Sequence, residues 1–308
     1  MSLWLLVFFG CGGDDGVAES TDRVVDSAPS SETAPTGDTA QPPEPPACPT
    51  FGEAEAVGVL SDPVLTEVSG LVWGNGVLWA HNDSGGGSRL YGLSETGAVL
   101  QRVHFDPTVL VDWEDITRRG DHLWLADVGD NGANRGRVFL HEMAIPAPGA
   151  DTASARARSA QWPDGPVDCE AVFADPVSGD LLLMSKVFDG IVTVARMPDP
   201  DADDSADPVP LEPVATVVFG NDGVGRTTLI TGADMSPDGR FVVVRTYLAA
   251  WAFPRIPGEP WADTFGREPC EVPTGPEGQA EAIAWDERGI WTASEGEGVP
   301  LHRTSVAP

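Results

Sequence analysis

Lysine is almost absent from this chain. Only one of its 18 Lys and Arg residues is a lysine, Lys186, against 48 Asp and Glu, for a formal net charge of -30. Such an excess of negative charge excludes nucleic acid backbone and anionic lipid surfaces as partners. It makes cations the natural small partners. Also missing is any long stretch with helical periodicity. The five histidines, His81, His104, His122, His141 and His302, lack the paired spacing of a zinc site. No Gly-x-Ser-x-Gly phrase marks a nucleophile. Gly220 to Thr227 imitates a phosphate-cradling loop, but Arg226 stands where such a loop has lysine and a strand pattern follows.

What is abundant is punctuation. With 35 Gly and 28 Pro, short apolar runs are broken by Gly, Asp, Asn and Pro turns, a pattern of strands and tight turns. The length and the 41% hydrophobic content suffice for one domain or at most two.

The first residues carry a brief apolar run ending at Cys11, too short to span a membrane. This run resembles the end of a bacterial lipoprotein signal, which implies lipidation of Cys11 after cleavage. Gly12, the residue after it, favours the outer membrane. Residues 12–47 hold eight acids and one Arg among Ser, Thr, Pro and Gly, too little apolar surface to offset the entropy of ordering. They read as a tether, with the folded domain at 48–308. Export permits a disulfide, and one between Cys48 and Cys270 would tie the chain ends together, leaving Cys169 unpaired.

One short phrase recurs five times: Glu67-Val-Ser-Gly-Leu71, Asp112-Trp-Glu-Asp-Ile116, Val167-Asp-Cys-Glu-Ala-Val172, Thr231-Gly-Ala-Asp-Met235 and Gln279-Ala-Glu-Ala-Ile283. A tight turn and a second apolar strand follow each. The spacing of roughly 45 to 63 residues is that of propeller blades. Expected outer strands lie at 89–93 and 99–104, 138–141 and 158–162, 191–196 and 214–219, 249–253 and 270–273, and 301–304. The last repeat lacks a fourth strand, and residues 53–60 lack a blade. The N-terminal strand should therefore close the final blade, giving an all-β, five-bladed β-propeller with six blades as the alternative. Turns at Asn75-Gly76, Gly120-Asp121 and Arg288 would set Ser69 opposite Asn82, Glu114 opposite Asp127 and Glu281 opposite Ser294.

These phrases, from the SGLVWGNGVLWAHNDSG stretch through DWEDI and LWLADVGDN to QAEAIAW, resemble exported bacterial propellers of the SdiA-regulated and phytase-like esterase type. The oxygen recurring once per blade is similar to the calcium-activated nucleotidase family. That resemblance implies a calcium in the central channel, with Ser69, Glu114, Glu170 and Glu281 as its ligands. The fourth repeat aligns with Ala233, which has no ligand atom, so Thr231, Asp234 or a carbonyl would stand in. The nucleotidase's phosphate-binding signature is not intact here.

Three carboxylates converging on an axis repel unless a cation joins them or some take a proton, and calcium accepts six to eight such oxygens. The competing reading gives each Glu an amide or an Arg as partner. Asn82, Asp83, Asp127, Asp130, Asn131, Lys186, Arg245, Ser294 and Glu295 should share the same rim. Lys186 and Arg245, the cations there, would hold an anionic ligand group, with Asn82 and Asp83 beside them, or else neutralise nearby glutamates. Asp127 or Glu295 could activate water. Asp127-Val-Gly-Asp130-Asn131 could take a second cation or simply cap its own turn. The expectation is a monomeric, lipid-anchored envelope module that binds calcium and a small anionic ligand or envelope partner. The alternative is a calcium-dependent hydrolase of phosphoesters, esters or lactones.

Overall fold

The computed structural model describes residues 43–84, 87–106, 110–202, 207–219 and 228–307, and the compact unit runs from Pro43 to Pro308. Cys11, most of the tether and the Gly220–Thr227 phrase lie outside the described residues.

Five sheets make five blades, each built on four antiparallel strands. The N-terminal strand is β1 (Phe51–Val59). Blade one is β2 (Val68–Gly74), β3 (Val77–Asn82), β4 (Arg89–Leu93) and β5 (Val99–Phe105). Blade two is β6 (Trp113–Arg119), β7 (His122–Asp127), β8 (Val138–Ala144) and, after the short β9 (Thr152–Ala153), β10 (Arg156–Gln161). Blade three is β11 (Cys169–Ala174), β12 (Leu181–Ser185), β13 (Ile191–Met197) and, after the short β14 (Val209–Pro210), β15 (Glu212–Val218). Blade four is β16 (Ile230–Met235), β17 (Phe241–Thr246), β18 (Ala250–Pro254) and β19 (Cys270–Val272). Blade five is β20 (Ala280–Asp286), β21 (Gly289–Ser294) and β22 (Pro300–Val306). β1 completes blade five by pairing antiparallel with β22, which covers the edge that blade would otherwise expose.

The described residues form five blades, not six. The segment between β18 and β19 carries one short helix, α1 (Trp261–Phe265), packed into the blade three and four core. β9 and β14 extend the outer edges of blades one and two as parallel fifth strands.

The inner strands β2, β6, β11, β16 and β20 ring the axis in order. Their side chains are buried almost throughout, as expected for strands covered on both faces. Aromatic residues fill the space between blades. Trp79, Trp124 and Trp291 are fully buried, and Trp73 stacks on Trp291 with ring centroids 6.0 Å apart. A disulfide joins Cys48, just before β1, to Cys270 at the start of β19, so the closing strand of blade five is bolted to the edge of blade four.

Candidate functional site at the acidic mouth

Every inner strand carries a register shift at the same height: Val68/Gly70, Trp113/Asp115, Cys169/Ala171, Ile230/Gly232 and Ala280/Ala282. A bulge of this kind adds one residue without a partner and re-aims its side chain. The extra residues are Ser69, Glu114, Glu170, Thr231 and Glu281. This corrects the expected pairing by one position: Val68 faces Asn82, Trp113 faces Asp127 and Ala280 faces Ser294. It also corrects the fourth repeat, where the equivalent residue is Thr231 rather than Ala233. A shift of two leaves the strand's in-and-out pattern unchanged, so alignment on apolar residues could not detect it.

The two hydroxyls in this ring are spent on the backbone. Ser69 donates to the Glu114 carbonyl, and Thr231 donates to the Ala280 carbonyl at 2.9 Å. Ser69 and Thr231 therefore stitch adjacent inner strands together. The three glutamates are each 4% exposed, and they differ in what compensates them. Glu170 Oε1 lies 2.5 Å from Lys186 Nζ, which also donates to Tyr247 Oη at 2.9 Å. Glu281 Oε2 is buried without a donor among the described residues. The Glu114 carboxylate has no hydrogen-bond donor among the described residues either. Burial pushes all three carboxyls up, with mutual repulsion from Glu170 adding to it at Glu114 and Glu281. Glu281 reaches about 8.

Glu114 is instead the floor of a tighter group. One oxygen each from Asp83, Asp112 and Glu114 lie within 4.8 Å of one another, with the two aspartates half-buried at the rim. Asp83 and Asp112 are also pushed up, by burial first and then by neighbouring acids, with the Asp83 backbone bond from Ser84 and the Ser84 side-chain bond to Asp112 opposing. Gly129 closes over this cup; a side chain there would collide with Glu114 Oε1 and Asp112 Oδ2. Asp112 was not singled out from the sequence. It opens the second repeat phrase just ahead of β6, and the bulge at Glu114 breaks the alternation that could have linked the two.

The remaining expected site residues divide sharply. Asp127 is fully buried and committed: its oxygens accept from the amides of Val111 and Asp112 at 3.1 and 3.0 Å and from Arg135 at 2.8 Å. Although burial opposes this, those donors and His141 hold its carboxyl below the usual range. Asp130 caps its own loop, accepting from the amides of Asn134 and Arg135 at 2.9 and 2.7 Å. Arg245 turns away from the mouth into a buried network. It donates to Glu277 at 2.6 Å and to the Ala282 carbonyl at 2.7 Å, while Thr292 and His302 also bond Glu277. Asn82 donates to the Val64 carbonyl at 2.6 Å. Glu295 stays half-buried at the rim, held by Gln279 at 2.8 Å, with its carboxyl raised by burial and by Asp83 and Glu67.

Below the ring, one carboxylate links three inner strands. Asp115, fully buried on β6, accepts from the amides of Ile116, Val172 and Ala233 at 2.8, 2.9 and 3.2 Å, and so reaches strands of blades three and four. The far mouth is a separate cavity of about 200 Å³ lined in part by Trp73, Arg118, Asp234 and Trp285.

No protein-family model and no curated protein matches the sequence. Among solved structures, the chain is similar to Myxococcus xanthus glutaminyl cyclase, with a TM-score of 0.50, 12% identity, and coverage of 83% of this chain and 97% of that one. A PQQ-bound aldose sugar dehydrogenase from Streptomyces coelicolor follows with 0.49, 11%, 86% and 100%. A gluconolactonase from Xanthomonas campestris gives 0.47, 14%, 88% and 99%. At identities this low the likeness speaks to the fold alone.

Proposed function

We propose that this protein is a ligand-binding propeller of the cell envelope whose acidic mouth holds a divalent cation, calcium, between Asp83, Asp112 and Glu114. One observation carries the reading: Glu114 is 4% exposed, lacks a donor among the described residues, and sits within 4.8 Å of two further carboxylate oxygens. Burying an uncompensated charge is costly, and a hard cation with oxygen ligands removes that cost. Three carboxylates leave calcium positions for water and for an oxygen of an anionic ligand. Lipidation at Cys11 and the 12–47 tether would place the cup at a membrane as a monomer, and the anchor would be its sole attachment to lipid.

This arrangement moves the cation from the expected Ser69, Glu114, Glu170 and Glu281 set toward the rim. Glu170 already has Lys186, and the Ser69 hydroxyl already has a carbonyl. A second reading is a calcium-dependent hydrolase of phosphoesters, esters or lactones. Glu295 favours it, as a half-buried carboxylate of raised proton affinity at the same mouth. Asp127 offers no free oxygen for that role. The test is calcium titration calorimetry on the full chain and on Asp112→Asn. A site of one calcium per chain, lost in the variant, supports the cup; no binding to the wild type overturns it.

A further inference from the structure

Lys186 is the sole lysine of the chain, and it ends in the acidic mouth. Its backbone amide donates to the Asp168 carbonyl at 2.8 Å, just past the end of β12. Its side chain is 9% exposed and the Glu170 side chain 5%. The ammonium contacts Glu170 and the Tyr247 hydroxyl, and lies 5.0 Å from the centre of the Tyr247 ring. Two of its three N–H donors are therefore occupied. Its charge also acts on Asp83, Glu114, Glu281 and Glu295. A side-chain cation thus stands amid the ring of glutamates where a metal ion was expected.

We infer that Lys186 is the resident cation of the axial glutamate ring, and that it keeps a second divalent ion out of the channel. The inner ring and the outer cup then divide one acidic mouth between a built-in charge and an exchangeable one. An ammonium serves the inner position because it is a compact point charge on a long stem, and it cannot dissociate when calcium is scarce. Once the lysine is removed, Glu170 loses its ion partner, Glu281 Oε2 still lacks a donor among the described residues, and the two carboxylates repel. Those carboxylates, with the Tyr247 oxygen, are a set a hard divalent ion accepts. The inference rests on the outer-cup reading only for the wild-type count.

The test is bound calcium per chain by equilibrium dialysis and elemental analysis. The proteins compared are the full wild-type chain, Lys186→Met, Lys186→Arg, Asp112→Asn and the Lys186→Met/Glu170→Gln double variant. The expected result is one more ion in Lys186→Met than in the wild type. Lys186→Arg should match the wild type, and Glu170→Gln should abolish the gain. A Lys186→Met count equal to or below the wild type overturns the inference. If the wild type binds none and Lys186→Met binds one, the cup fails while the ring inference stands. If Lys186→Met folds only in calcium, that dependence counts as the gained ion. If it folds in neither calcium nor chelator, no ion replaces the ammonium and the inference falls.

Discussion

Asp115 Oδ2 accepts a hydrogen bond from the amide of Ala233 at 3.2 Å, although the two residues sit on blades two and four, which are not neighbours in the ring. The same oxygen takes the Val172 amide at 2.9 Å from the blade between them. One carboxylate thus ties three inner strands together at the axis. Burial keeps its proton affinity well above the ordinary range even though three amides oppose the shift.

Asp115→Ala should therefore destabilise the fold more than a surface change would. It leaves three buried amides without an acceptor, at about 1–3 kcal/mol for each unsatisfied group. The expected loss is at least about 3 kcal/mol, read from denaturant melts. Asp115→Asn keeps one acceptor oxygen and should lose less. Equal stability of wild type and Asp115→Ala would show that the axis is held elsewhere.

Glu114→Gln separates the cost of the cup from its use. In chelator the variant should melt at or slightly above the wild type, because a buried carboxyl without a donor is no longer present. In calcium at about a hundredfold its dissociation constant, the wild type should gain about 2.7 kcal/mol, or roughly 5–10 °C. The variant should gain little of this. Differential scanning calorimetry in both buffers checks the pair of outcomes.

The pH dependence follows from Glu281. Its carboxyl rises from 4.5 to about 8 on folding, chiefly by burial, with Glu170 adding to the shift. Between those values the folded state holds a proton that the unfolded chain has released. Stability therefore falls as pH rises through that window and levels off above it. Without calcium, the melting temperature should decline from about pH 5 to about pH 8. Glu170 and Asp234, each raised by burial to about 7, act in the same direction, so Glu281→Gln should make the decline shallower without removing it. A wild-type profile that rises over this range would contradict the assignment.

The Cys48–Cys270 bridge spans 222 residues of sequence. Constraining so long a loop in the unfolded chain is worth about 5 kcal/mol in the chain-entropy model, and removal of native bridges typically costs about 2–5 kcal/mol. The Cys48→Ser/Cys270→Ser variant should lose an amount in that range. Reductant should lower the wild-type melting temperature and leave the variant unmoved.

Blade number, the hairpins and the closing role of residues 51–59 were legible in the amino-acid order because each rests on local chemistry. Alternating or continuous apolar runs mark strands, and Asn75-Gly76 or Gly120-Asp121 mark turns whatever surrounds them. The recurrence of an acidic residue at the start of inner strands was legible for the same reason. Its partners were not. The bulge at each inner strand adds one residue with no compositional mark, and Thr231 and Ala233 fit the same alternation equally well. Asp83, just after β3, and Asp112, just before β6, join Glu114 only because blades one and two pack side by side. Lys186 meets Glu170 within the β11–β12 hairpin of blade three, but its bond to Tyr247 and the pairing of Arg245 with Glu277 depend on how neighbouring blades pack around one axis. Periodicity and turns are properties of neighbouring residues, so the linear chain carries them. Charge pairing is a property of distances across the ring, and those distances exist only once the ring is closed.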